Sequence, residues 1–207
     1  MKNLTTFVKG IIAGICIALG GTVFLALDNK VVGSLFFTVG LFVICTRGYN
    51  LFTGKVCYSL DQPRSYLGDL TLIWLGNLLG TWIFALALKA TRLAPALATK
   101  AQGMCEVKLG DTLFSIFILS IFCNILIFIA VDGFKNNPNA IGKYLALFFG
   151  VCVFILAGFE HCVANMFYIS IASMWSGQAL LFILVNTLGN AVGGLLIPAT
   201  SKLLQEK

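Results

Sequence analysis

The single histidine of the chain, His161, stands beside Glu160 in the run Gly158-Phe159-Glu160-His161-Cys162-Val163-Ala164-Asn165-Met166-Phe167. Apolar stretches flank it, Tyr144 to Ala157 on one side and Met166 to Met174 on the other. An ionisable group at the centre of a membrane helix costs roughly 2.5–3.5 kcal/mol on insertion scales, so such groups face a bundle interior or a wet cavity. Histidine is also the side chain that changes charge near neutral pH. The pair therefore points to proton handling inside a membrane pore. Other chemistries find no support. There is no Gly-x-Ser-x-Gly run, and Ser115 and Ser120 have no evident base, which argues against a hydrolase. The seven cysteines, at positions 16, 45, 57, 105, 123, 152 and 162, form no CxxC pair and no metal-ligand spacing with His161. They read as small apolar packing residues. Neither a metal nor a cofactor is expected, and the protein is not read as an enzyme.

The composition requires a bilayer. Hydrophobic residues make up 59% of the 207 and charged residues only 11%, where a soluble domain carries about a quarter charged. The first apolar stretch runs from Val8 to Leu27 without a short core ending at a cleavage site, so it is expected to remain as a span. The net charge is +6, with Lys2, Lys9, Lys202 and Lys207 at the two ends. Basic flanks favour the cytoplasm, which puts both termini inside a plasma (inner) membrane that the chain crosses several times. The basic segment from Lys89 to Lys108 would face outside and weighs against this orientation. In so apolar a chain the basic balance reads as a topology signal, with no nucleic-acid partner.

Six spans are predicted, at about 8–27, 31–60, 68–89, 110–131, 141–173 and 178–203, each around the 20 residues that a bilayer needs or longer. The second and fifth are too long for simple helices. Arg47-Gly48-Tyr49-Asn50 interrupts the second; Gly158, Glu160, His161 and Asn165 interrupt the fifth. Non-helical backbone at membrane depth is tolerated only when buried in protein or lining a cavity. The halves also repeat: Gly76-Asn77-Leu78-Leu79-Gly80 matches Gly189-Asn190-Ala191-Val192-Gly193, and the breaks at Gly48 and Gly158 precede those motifs by 28 and 31 residues. Three spans per half is odd, so the two copies, about 1–100 and 105–207, must insert with opposite orientation in one transmembrane domain. Paired interrupted segments in inverted halves mark a substrate site near the midplane. The glycines read as helix-packing positions, and Asn77 and Asn190 as ties for the broken helices. A packing subunit without transport would not keep two broken helices and an intramembrane Glu-His pair.

These motifs, in this order, resemble the formate/nitrite transporter family over nearly the whole chain. Gly158-Phe159-Glu160-His161 with Val163-Ala164-Asn165-Met166-Phe167 resembles the signature around the family's central histidine. Leu51-Phe52-Thr53-Gly54 resembles the loop that breaks its second helix, Phe122-Cys123-Asn124 its fourth-helix motif, and Leu188 to Gly194 its sixth. The resemblance implies an all-α, aquaporin-like protomer of six transmembrane helices with one pore, assembled as a homopentamer. It further implies two apolar constrictions, from Phe37, Leu41, Leu51, Phe52, Ile127 and Phe154. Thr53, Asn124 and His161 are implied as the polar groups between them, and Lys108 as a nearby basic residue. Lys108, read as standing at a helix start, could equally anchor at the interface. Glu160 and Asn165 are expected to satisfy the broken helix, with Glu160 bonding its backbone.

Two departures from the family pattern stand out. Tyr49-Asn50 occupy a place where the family often has an acidic residue, and only about seven residues precede the first span, too few for the amphipathic helix of longer relatives. The expected function is a channel for a small monovalent weak-acid anion: formate, nitrite or hydrosulfide. The anion would be gathered by a basic mouth, protonated from His161 or from bulk water through Thr53 and His161, and passed across the apolar rings as the neutral acid. The alternative is a neutral-solute pore for water or ammonia, without proton coupling.

Overall fold

The computed structural model describes residues 2–205, which form helices and short connections with no strand among them; Lys207, one of the basic terminal residues, lies outside the described residues. In chain order the helices are α1 (Lys2–Ala26), α2 (Lys30–Arg47), α3 (Phe52–Lys55), which runs into a 3₁₀ turn (Val56–Asp61), and α4 (Tyr66–Lys89). They continue with α5 (Ala94–Leu109), α6 (Leu113–Asn136), α7 (Ala140–Leu156), α8 (Cys162–Ala172) and α9 (Gly177–Gln205). Among the described residues five of these, α1, α2, α4, α6 and α9, are long and apolar enough to cross a membrane.

Side chains are distributed as in a membrane protein. Leu67, Phe114, Ile141 and Phe149 point outward, while Thr53, Asn77, Ser120, Asn124, His161, Asn186 and Asn190 are buried. Every residue of α8 is buried, so this short helix is the centre of the molecule. Helix α1 packs on α4 and α2, and α6 packs on α9 and α7. The close pairs depend on missing side chains. A Cβ on Gly80 would collide with the Ile11 carbonyl oxygen, and one on Gly193 with that of Ile121.

Both predicted breaks are present. Helix α2 starts on Asn29, whose Oδ1 accepts from the N–H groups of Val31 and Val32, and ends at Gly48 with φ 67°. Helix α7 starts on Asn139, which accepts from Ile141 and Gly142, and the chain turns at Gly158 with φ 75°. Asparagine is among the best N-cap residues, and glycine reaches positive φ without a Cβ penalty. Each position in the second set lies 110 residues after its counterpart (139 − 29 and 158 − 48).

The structure departs from the sequence reading in three places. Helix α1 already includes the residues from Lys2 onward, so the first helix starts earlier than Val8. The stretch 31–60 is broken at Gly48, but its second part is only a four-residue helix that runs into a 3₁₀ turn. The basic segment after Lys89 forms a helix of its own, α5, whose Leu97, Ala101 and Cys105 are buried and which packs on α8. Lys108 accordingly sits in the last turn of a helix and not at a helix start.

Candidate functional site

The two breaks bring their polar residues together. Helix α8 begins at His161, whose Nδ1 accepts the N–H of Ala164 at 3.2 Å and so acts as the helix N-cap. Because an N–H can only donate, Nδ1 carries the lone pair and the ring hydrogen sits on Nε2. Nε2 lies 3.0 Å from Thr53 Oγ1 on α3 and therefore donates to it. No acceptor for the Thr53 hydroxyl hydrogen is found among the described residues. Asn124 of α6 donates from Nδ2 to the Thr53 carbonyl at 3.1 Å. That fixes its amide orientation and leaves Oδ1 buried without a partner. The site thus offers one unused donor and one unused acceptor in dry surroundings.

Cavities open on either side of this cluster. One, of about 460 Å³, is lined by Phe37, Phe154, His161 and Lys108 among others. The other, of about 630 Å³, is lined by Leu41, Leu51 and Gly54 on the side of the chain termini. Phe37 and Phe154 meet edge to face, with ring centroids 6.2 Å apart, and Phe154 stacks on His161 at 5.6 Å. Phe52 and Ile127 are buried and line neither cavity, and the same holds for Thr53 and Asn124, so that of the polar cluster His161 alone borders one. Of the six apolar residues proposed for constrictions, four therefore border open space.

The asparagines tie the breaks as a matched pair. Asn77 accepts from the Phe52 N–H at 2.8 Å and donates to the Gly10 and Asn50 carbonyls. Asn190 accepts from the Cys162 N–H at 2.9 Å and donates to the Ser120 and Glu160 carbonyls. Each of these backbone partners of Asn190 again lies 110 residues after its counterpart. The expectation for Glu160 is corrected here: its carboxylate bonds side chains rather than backbone. Its Oε2 accepts from Lys108 Nζ at 2.6 Å and from Asn165 Nδ2 at 2.7 Å. Asn186, which the sequence reading did not single out, links this group to the rest. It donates to Ser120 Oγ and to the Glu160 carbonyl, and accepts from Asn165. Its one legible signal is its spacing of four from Asn190, which places both on one face of α9.

The chain as a whole is similar to known proteins. The family model described as "Formate/nitrite transporter" matches residues 1–204. The chain belongs to that family. Formate channel FocA of Haemophilus influenzae is 27% identical over 188 residues, covering 81% of this chain and 66% of that protein. A probable formate transporter of Methanothermobacter thermautotrophicus is 31% identical over 199 residues, covering 82% of this chain and 73% of its own length. The chain thus spans about two thirds to three quarters of the length of these relatives. Among solved structures, one described as a pentameric formate channel with formate bound superposes with a TM-score of 0.84 at 26% identity, covering 100% of this chain and 98% of that one.

Proposed function

We propose that this member of the formate/nitrite transporter family is a channel for small monovalent weak-acid anions, with formate the first candidate, and that it passes them in protonated form. The observation that carries this reading is the buried Thr53–His161–Asn124 cluster between two cavities bordered by Phe37 and Phe154 on one side and Leu41 and Leu51 on the other. The fold implied is six spans in two inverted repeats, α2 with α3 and α7 with α8 making the broken second and fifth, in an aquaporin-like protomer. The constant 110-residue offset of the capping contacts supports it. A homopentamer in the plasma membrane, both termini cytoplasmic, is the assembly proposed; formate bound in the similar pentameric channel supports both substrate and assembly.

An isolated carboxylate cannot cross the aromatic and aliphatic side chains without losing its hydration, which costs far more than an uncharged polar group does. Loss of hydration disfavours the charged form, so the anion takes up a proton as the cavity narrows. The unused groups of the cluster suit the product. A neutral acid can donate its O–H to Asn124 Oδ1 and accept from the Thr53 hydroxyl, whereas an anion has nothing to offer Asn124. Both ring nitrogens of His161 are occupied, and protonating Nδ1 would break the α8 cap. The proton is therefore supplied by water in the cavity. His161 acts as a neutral donor that polarises Thr53, and a relay through its ring would require release of the Ala164 N–H.

Flux of formate, nitrite and hydrosulfide into proteoliposomes, compared across pH 5 to 8, tests the reading. Flux of at least one should rise as pH falls, by up to about tenfold per pH unit, as the neutral-acid fraction does. Rapid water or ammonia movement with no anion flux at any pH would instead make this a neutral-solute pore.

Lys108 is proposed to donate to the permeant in the Phe37 cavity from an ammonium N–H that Glu160 does not use. Lys108→Met should lower flux by about threefold and stability by about 1–2 kcal/mol, since it strands a largely buried Glu160 carboxylate. Adding Glu160→Gln should restore the melting temperature but leave flux low. Full recovery of flux in the double variant would mean that Lys108 serves only to neutralise Glu160.

A further inference from the structure

We propose that the larger cavity, on the side of the chain termini, is a binding site for an organic anion carrying two or more negative charges, which blocks the pore from that side; the blocking step rests on the channel reading above. Three lysines, Lys55, Lys135 and Lys143, line this cavity together with Tyr49, Tyr58 and Tyr66. Among the described residues none of the three lysines pairs with a carboxylate.

Among the described residues of this end, two acidic groups are paired with other lysines, Asp61 with Lys202 and Asp69 with Lys2. Asp132 accepts from Asn136 and from Tyr58 of the cavity wall, so its one charge offsets part of the three lysines' and leaves a net positive cavity. Lys135 lies 4.5 Å over the Tyr58 ring, and both Lys135 and Lys9 are within electrostatic reach of Lys55. Like charges gathered in a concavity with low-dielectric walls focus a positive potential that favours anions, more so the higher their charge.

Size selects the rest of the ligand. The volume is about 630 Å³, within the roughly 300–1,000 Å³ range of sites that hold drug-sized molecules. A triatomic anion would leave most of it to water. The tyrosine rings supply faces on which a planar or apolar body can rest. The contrast with the opposite cavity is informative: there Lys108 is already paired with Glu160, and Lys30 is the other lysine lining the wall. Leu41, Ile44 and Leu51 line the same terminal-side cavity, so an occupant held by the lysines stands over the pore and excludes the permeant.

Titration calorimetry on the purified assembly in detergent tests binding without requiring transport. The probes are ATP, citrate, orthophosphate and formate. ATP, citrate or both should bind, and raising salt should weaken them. The triple variant Lys55→Gln/Lys135→Gln/Lys143→Gln should weaken them by at least about tenfold. Binding of ATP alone points to a phosphorylated ligand, of citrate alone to a polycarboxylate; either supports the site. Equal binding by wild type and triple variant, no binding of either organic probe, or binding of orthophosphate or formate as tight as theirs overturns it. If the triple variant does not assemble, Lys143→Gln alone should still weaken the organic probes by about threefold or more; unchanged affinity counts against the site. Formate flux with the bound probe on the terminal side should then fall severalfold, and with the probe on the opposite side should not. Probe binding that leaves flux intact from both sides removes the block. A wild type that carries no anion but binds the probe refutes the channel reading and leaves the site standing.

Discussion

His161→Asn should assemble and keep the start of α8 yet lose at least about tenfold of its anion flux. The substitution separates two jobs that one ring performs. At the start of α8 the imidazole accepts the Ala164 N–H, and asparagine is among the best residues for that task, so the helix start should change by no more than about 0.5 kcal/mol. The second job is lost. The shorter amide cannot reach from the cap to Thr53 Oγ1, which Nε2 now meets at 3.0 Å, and it cannot stack on Phe154. Removing a preorganised donor from a buried site typically costs about 10²–10³ in rate. A donor that acts through a second hydroxyl should carry less, hence the tenfold expectation. Flux in proteoliposomes over pH, read beside a thermal melt, decides the matter. Full pH-dependent flux in His161→Asn would reduce the histidine to a helix cap. His161→Leu serves as the contrast, because it also loses the cap, at about 1 kcal/mol.

The parts of this arrangement that local chemistry dictates were legible in the sequence. Gly48 and Gly158 mark the breaks because a turn at positive φ inside an apolar run needs glycine. The paired Gly-Asn-x-x-Gly motifs were legible because close helix contact and satisfaction of freed backbone groups require those residue types. Helix α5 was not. Its buried residues, Leu97, Ala101 and Cys105, recur every four positions, but they lie in a basic segment with Pro95 in its first turn, and so short a stripe does not separate from loop composition. The partners of Glu160 were also out of reach. Lys108 lies 52 residues earlier in the chain, and only packing of α5 against α8 brings the ammonium to the carboxylate. Asn186 had no motif to mark it, since its role depends on three partners contributed by different elements. The repeat itself hid one asymmetry. Leu51 and His161 occupy corresponding N-cap positions, 110 residues apart, but only His161 has a side chain that can cap. The half without a capping side chain depends more heavily on its asparagine.

That dependence sets the order of two further effects: Asn77→Leu should destabilise the protein by roughly 3–5 kcal/mol, and Asn190→Leu by less, roughly 2–4 kcal/mol. In both cases a leucine leaves a buried backbone N–H with no acceptor, Phe52 in the first and Cys162 in the second. Each such orphan costs about 1–3 kcal/mol. The carbonyls differ. Asn50 receives its side-chain donor from Asn77, whereas the Glu160 carbonyl keeps a bond from Asn186 at 2.8 Å after Asn190 is removed. Helix α3 is also only four residues long and has no capping side chain, so it has little of its own to hold Thr53 in place. Unfolding of the detergent-solubilised assembly, followed by circular dichroism in a denaturant series, measures both losses. Flux should follow the same order, because Thr53 rides on the element that Asn77 holds. Equal losses, or a larger loss in Asn190→Leu, would mean that Asn186 gives no cover at the second break and that α8, rather than α3, is the more weakly held half of the site.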